Sequence, residues 1–211
     1  MELEKLLKLE QAANKGRQEM FRMGTALLFL VGIILFIAMR GGEINYSLMV
    51  AAMIGGYMAL NIGANDVANN IGPAVGSRAL TLTGAIFIAA IFEAAGAIIA
   101  GGDVVGTIKS GIINPDAIAD VDVFIWLMTA ALLAGALWLN IATAAGAPVS
   151  TTHSIVGGVL GAGVAAGGVG IVNWGAVGQI AASWVISPVL GGVIAAAFLY
   201  LIKRTITYKP D

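Results

Sequence analysis

One stretch of the chain concentrates hydrogen-bonding side chains inside apolar flanks: Asn61-Ile62-Gly63-Ala64-Asn65-Asp66-Val67-Ala68-Asn69-Asn70-Ile71-Gly72-Pro73. An Asn amide offers oxygen to a cation and N–H groups to an anion, and an ionised Asp is an acceptor only. Asp66 and Asn69 stand three positions apart and share one face of a helix. Gly63 weakens a helix just before Asn65-Asp66, so the reading here is a broken helix that frees backbone groups for ions. A cytoplasmic loop would also be polar and hold Gly and Pro. Against that, the stretch carries no Lys or Arg before Arg78. An ionisable residue at membrane depth is costly and marks a functional site by default.

A second constellation is Ala147-Pro148-Val149-Ser150-Thr151-Thr152-His153-Ser154, followed by Ile155-Val156-Gly157-Gly158. Pro148 interrupts a preceding helix. Ser150 or Thr151 is a good N-cap for a new one. The free amides and positive end of that helix would face whatever fills the space before it. Hydroxyls and amides without a Lys or Arg suit a tetrahedral oxyanion that must be released again. An ordinary capped helix start is the plainer alternative.

Two ionisable residues stand apart. Glu93 lies among Ala94, Ala95, Gly96 and Ala97, small residues that let another helix approach. It reads as a coupling-ion or proton group, or as a structural hydrogen-bond partner. His153 is the only His and the chain has no Cys. No His/Cys cluster supports a metal site and no nucleophile elbow supports hydrolysis, so no catalytic residue and no cofactor are expected. His153 reads as a proton-sensitive group near the second constellation.

These residues need elements to hold them, and composition says which. The chain has 211 residues, 59% hydrophobic and 11% charged, with 29 Gly. Its mean hydropathy is +0.93. The charged share is about half that of a soluble domain, so the lipid bilayer is the expected solvent. A net charge of −1 gives no reason to expect nucleic acid. Six crossings are expected: Thr25–Met39, Leu48–Val75, Leu82–Ala100, Val123–Ala145, Pro148–Val169 and Trp174–Ile202, the last bent near Pro188. Asn114-Pro115-Asp116 signals a turn. Asp103 and Lys109 are expected to flank a surface turn, and the four Trp to sit at interface or packing positions. Leu3–Met20 reads as an amphipathic helix or a solvated tail, with Leu3, Leu6, Leu7 and Leu9 on the membrane and Lys5, Lys8, Lys15 and Arg17 toward headgroups.

With the N-terminus cytoplasmic, Lys5, Lys8, Lys15, Arg17, Arg22, Arg78, Lys203, Arg204 and Lys209 fall inside, and only Arg40 and Lys109 of the 11 basic residues fall outside. That asymmetry obeys the positive-inside rule and places both termini in the cytoplasm. It requires the Pro148–Val169 region to cross, or to pair with another segment, before the last helix.

Gly63-Ala64-Asn65-Asp66-Val67-Ala68-Asn69, then Gly72-Pro73 and Val75-Gly76-Ser77, resembles the signature of the PiT family of inorganic phosphate transporters. Pro148-Val149-Ser150-Thr151-Thr152-His153 with Gly157-Gly158 is similar to the same family's second polar segment. The Glu93 span and Gly106-Thr107-Ile108-Lys109-Ser110-Gly111 also fit, so the resemblance covers roughly residues 45–203. It implies an all-α polytopic bundle with discontinuous helices, one half of an inverted-repeat transporter in an inner bacterial membrane. It implies symport of phosphate with Na⁺ or H⁺. By that resemblance Asp66, Asn69, Ser150, Thr151 and Thr152 would bind phosphate. Asn65, Asp66, Asn69, Thr152 and Glu93 would serve the coupling cation, with Na⁺ at Asn65, Asp66 and Ser150.

The expected organisation is a cytoplasmic amphipathic segment at 1–22, an extra transmembrane helix and loop at 23–44, a first transporter repeat at 45–205, and the start of a cytoplasmic loop at 206–211. The signature occurs once. The second inverted repeat is therefore expected to be missing or on another chain, and a homodimer is a further partner to consider. A sulfate transporter and a non-transporting membrane scaffold or regulatory subunit are the rival readings.

Overall fold

The computed structural model describes residues 2–39, 45–118 and 120–208. The side chains expected on the membrane surface from Leu3 to Lys15 lie outside the described residues, as do Arg40 and Lys209. Six α-helices follow in order: α1 Glu2–Met39, α2 Tyr46–Gly76, α3 Leu82–Gly106, α4 Val121–Ala144, α5 Thr151–Gly167 and α6 Trp174–Ile202. The described residues are helical apart from turns, short connections and one isolated antiparallel bridge between Ile113 and Val172.

Among the described residues, five segments are long and apolar enough to cross a membrane: Met20–Met39, Tyr46–Gly76, Leu82–Gly111, Val121–Ala144 and Trp174–Thr207. The sixth expected crossing, at Pro148–Val169, becomes α5, with 17 residues. At ~1.5 Å per residue that is about 25 Å, short of a ~30 Å hydrocarbon core.

The local signals explain most ends. Asn45, Thr81, Asp120, Ser150 and Asn173 each cap a helix, their side chains accepting from a backbone N–H of the first turn. Asn114 accepts from the N–H of Asp116 at 3.0 Å and starts the short 3₁₀ turn Pro115–Ala117, as the Asn-Pro-Asp signal implied.

Two expectations are corrected. α2 runs unbroken through Gly63, so the first signature is not a helix break. A single Gly costs a helix only ~1 kcal/mol, and packing of α2 against α1 and α4 exceeds that. The expected surface turn at 106–111 is instead helical: α3 continues into a π-helical stretch, Thr107–Gly111, with Asp103 inside α3.

The expected discontinuity does occur at Pro148, between α4 and α5. Asn61 meets Asn140 and Asn65 meets Thr143, so α2 and α4 run parallel. Gly158 lies against Ala131 and Gly135 against the Ser154 carbonyl, so α4 and α5 form an antiparallel hairpin. A Cβ on Gly158 would stand 2.6 Å from the Ala131 oxygen, so that approach requires glycine. The far end of α5 is tied to the end of the α3 extension: Asn114 N–H donates to the Ile171 carbonyl at 2.8 Å and Asn173 N–H to the Ile112 carbonyl at 2.9 Å. Ile112, Ile113, Leu127, Ala131, Val156 and Val159 form the buried core at that end, with Ile180 and Trp184 of α6 against it. A smaller core of Met58, Ala136 and Leu139 lies between α2 and α4, with Val149 of the connection packed on it. Because α4 and α5 return to the side they left, α6 starts there too.

Candidate functional site at the hairpin tip

The segment 145–150, the tip of the α4–α5 hairpin, meets α2 and α6 at interior positions rather than at their ends. On α2 its partner is Asn65, well inside the helix. On α6 its neighbour is Trp184, about a third of the way along: the His153 and Trp184 rings lie 3.7 Å apart at 33°. The first turn of α5 thus begins within the helix bundle. The positive end of its dipole is held there by a short, capped helix.

Asn65 is 6% exposed. Its Nδ2 donates to Thr143 Oγ1 at 3.1 Å and to the Ala147 carbonyl at 3.2 Å. Its Oδ1 accepts from the Val149 N–H at 3.3 Å and from Asn69 Nδ2 at 3.2 Å. One helical turn earlier Asn61, also 6% exposed, accepts from Asn140 Nδ2 at 3.2 Å and donates to the Tyr57 carbonyl at 2.9 Å. These amides are buried at the α2–α4 contact and satisfied there, which is what burial of a polar group demands.

A cavity of about 260 Å³ opens beside this junction, lined by Asn65, Asn69, Thr143, Ala147 and Pro148 among others. Asp66 is half-buried on the adjoining face of α2 and is not part of that lining. On the α6 side of the tip lies a larger cavity of about 520 Å³. Ser150, Thr152, His153, Ser183, Trp184 and Ser187 bring polar groups to it, and Thr107 reaches it from the α3 extension. Among the described residues, no Lys or Arg lines it.

The sequence-predicted residues are therefore divided. Asn65 and Asn69 meet at the smaller cavity, while Ser150, Thr152 and His153 line the larger one. Ser150 is the N-cap of α5 and accepts from the His153 N–H at 3.3 Å. Its hydroxyl proton remains available to an acceptor. Thr151 is 8% exposed, and its Oγ1 is buried without a hydrogen-bond partner. Glu93 stands on an exposed face of α3, away from both cavities. Among the described residues no group of three or more His, Cys, Asp or Glu could hold a metal ion.

Three residues were missed from sequence. Asn140 and Thr143 had a usable signal: three positions apart, they share one face of α4, as Asn61 and Asn65, four apart, share one face of α2. Trp184 was read as a packing residue. Its indole nitrogen is buried without a partner, and Pro188, which lacks an N–H, leaves the Trp184 carbonyl without its helical donor.

Comparison with known proteins agrees with this architecture. Residues 62–211 match the phosphate transporter family. A Helicobacter pylori (strain J99) protein named "Putative phosphate permease" is 55% identical over 214 residues, covering 100% of this chain and 40% of that protein. A protein of the same name from Chlamydia trachomatis serovar D is 47% identical over 166 residues, covering 78% of this chain and 39% of its own length. A solved structure described as the sodium-dependent phosphate transporter superposes with a TM-score of 0.74 at 42% identity, over 79% of this chain and 42% of that one. The chain spans about two fifths of the length of the curated relatives it matches. It is a polytopic helical membrane protein, and it belongs to the phosphate transporter family.

Proposed function

We propose that this chain supplies one half of a cation-coupled inorganic phosphate transporter, with the hairpin tip holding the anion. The observation that carries this reading is the start of α5 within the bundle. Its capped N-terminus and the Ser150 and Thr152 hydroxyls border a cavity with no Lys or Arg in its walls. Amides and hydroxyls hold an oxyanion without the permanent charge that would oppose its release. Thr151 joins them only if its side chain turns out of the core.

Asp66 and Asn69 are assigned to phosphate and its coupling cation, and Glu93 to the cation. Glu93 does so only with a partner surface that covers its face of α3. A cation bound first offsets the charge of the anion before it enters a low-dielectric site. The sodium-dependent relative favours Na⁺ over H⁺. The Lys and Arg distribution supports cytoplasmic termini in an inner bacterial membrane.

Alternating access in this scheme exposes the site to each side in turn, against a second inverted half on the same or another chain. The test is uptake of radiolabelled phosphate in cells lacking their own phosphate transporters. This chain is expressed with the remaining part of the Helicobacter pylori relative, with and without sodium. Saturable uptake that needs sodium and yields to unlabelled phosphate but not to sulfate supports the proposal. Equal displacement by sulfate favours the rival oxyanion, and membrane insertion without uptake favours a scaffold.

A further inference from the structure

We propose that Asn65 is a positioning residue that ties the hairpin tip to α2, not a ligand of the coupling cation. An Asn amide has two N–H donors and an oxygen with two acceptor positions. All four are used: the donors by Thr143 Oγ1 and the Ala147 carbonyl, the acceptors by the Val149 N–H and Asn69 Nδ2. The orientation of the amide is fixed, because a backbone carbonyl must face its NH₂ and a backbone N–H must face its oxygen. A cation on Oδ1 would have to displace the Val149 N–H or Asn69.

The two backbone partners flank Pro148, the residue that separates α4 from α5. Proline offers no donor of its own, so this bend cannot be held by a helical hydrogen bond at that position. The Asn65 amide holds it from outside. Asn61 and Asn140 add a second polar contact between α2 and α4 one turn away. Asp66 and Asn69 on α2 and Ser150 and Thr152 at the tip are thereby held as one body. Their separation does not change as the site opens to either side. This deepens the proposed function and rests on its assignment of the site.

The absence of cysteine makes the test clean. Val149→Cys places a single thiol in a half-buried side chain under the tip. Its alkylation by a maleimide is timed in membranes. With Asn65→Ala added, the rate rises about tenfold, the factor expected for the loss of one or two net hydrogen bonds. Thr143→Val, which removes one partner and leaves Asn65 in place, gives a smaller rise and keeps the test informative if Asn65→Ala fails to accumulate. Asn69→Ala leaves the rate within about twofold, since Asn69 does not touch the tip through its own bond to Asn65.

Asn65→Asp separates the two roles. A carboxylate keeps an acceptor for Val149 but loses both donors, so a tie predicts faster alkylation, independent of sodium. A cation ligand predicts unchanged alkylation without sodium and slower alkylation with it. That result, or an unchanged rate in Asn65→Ala and Thr143→Val alike, overturns the proposal. In Asn65→Ala and Thr143→Val, phosphate protection of a Ser187→Cys thiol in the larger cavity needs more phosphate, with no change in its sodium requirement. A changed sodium requirement alone contradicts the tie. If phosphate protects nothing even with Asn65 intact, the proposed function fails, while the Val149→Cys rates still decide the role of Asn65.

Discussion

His153 at the start of α5 stacks on Trp184 of α6, with ring centroids 3.7 Å apart. This contact locates the hairpin tip on α6 as the Asn65 bonds locate it on α2. Trp184→Ala removes the ring and is expected to lower stability by about 2 kcal/mol. Trp184→Phe keeps an aromatic face and stays within about 1 kcal/mol of the parent. Thermal unfolding of the detergent-solubilised chain checks both. Equal losses in the two variants would show that the stack does not hold the tip.

Gly158 and its neighbour Gly157 make a controlled pair. A Cβ at 158 meets the Ala131 backbone oxygen at 2.6 Å, and one at 157 meets nothing within 4 Å. Gly158→Val is expected to spread the α4–α5 hairpin at a cost of about 1–3 kcal/mol. Gly157→Ala stays within about 0.5 kcal/mol. Size-exclusion profiles and melting curves distinguish them, and a stable Gly158→Val would contradict the close approach.

Thr151 carries a buried hydroxyl with no partner. Replacing it with the isosteric Val removes a desolvated polar group, so Thr151→Val is expected to stabilise the phosphate-free chain by about 1 kcal/mol. A fall in melting temperature would show that the hydroxyl has a partner in the resting state.

Asp66→Asn keeps shape and loses charge. The account predicts that it abolishes sodium-coupled phosphate uptake while membrane insertion is unchanged, read by surface labelling alongside transport. Normal uptake in this variant would remove Asp66 from the site.

Much of the fold was readable because a bilayer imposes strong rules on sequence. The spans at Leu48–Val75, Val123–Ala145 and Trp174–Ile202 fall close to α2, α4 and α6, and Ser150 caps α5 as its hydroxyl and the preceding Pro implied. The break at Gly63 was misread, since a glycine's local weakness does not reveal the packing that outweighs it. The turn at Thr107–Gly111 was misread for a related reason: glycines at both of its ends resemble turn punctuation, yet the backbone stays helical. At the site, residue types were legible and partnerships were not. Asn65 stood out as polar, but nothing local shows that three of its four bonds go to residues 78 to 84 positions away. Trp184 carried no polar pattern, and its contact with His153 exists only after α6 folds back along α5.

Phosphate occupancy of the larger cavity tests the central claim most directly. Ser187→Cys places the chain's single thiol on the part of the cavity wall contributed by α6, in the cavity that Ser150 and Thr152 also line. Its alkylation in membranes is measured against phosphate concentration, with sulfate in parallel. The account predicts saturable protection by phosphate, strengthened by sodium, with sulfate without effect. An alkylation rate that phosphate does not alter, or that sulfate slows equally, would contradict a phosphate site at the hairpin tip.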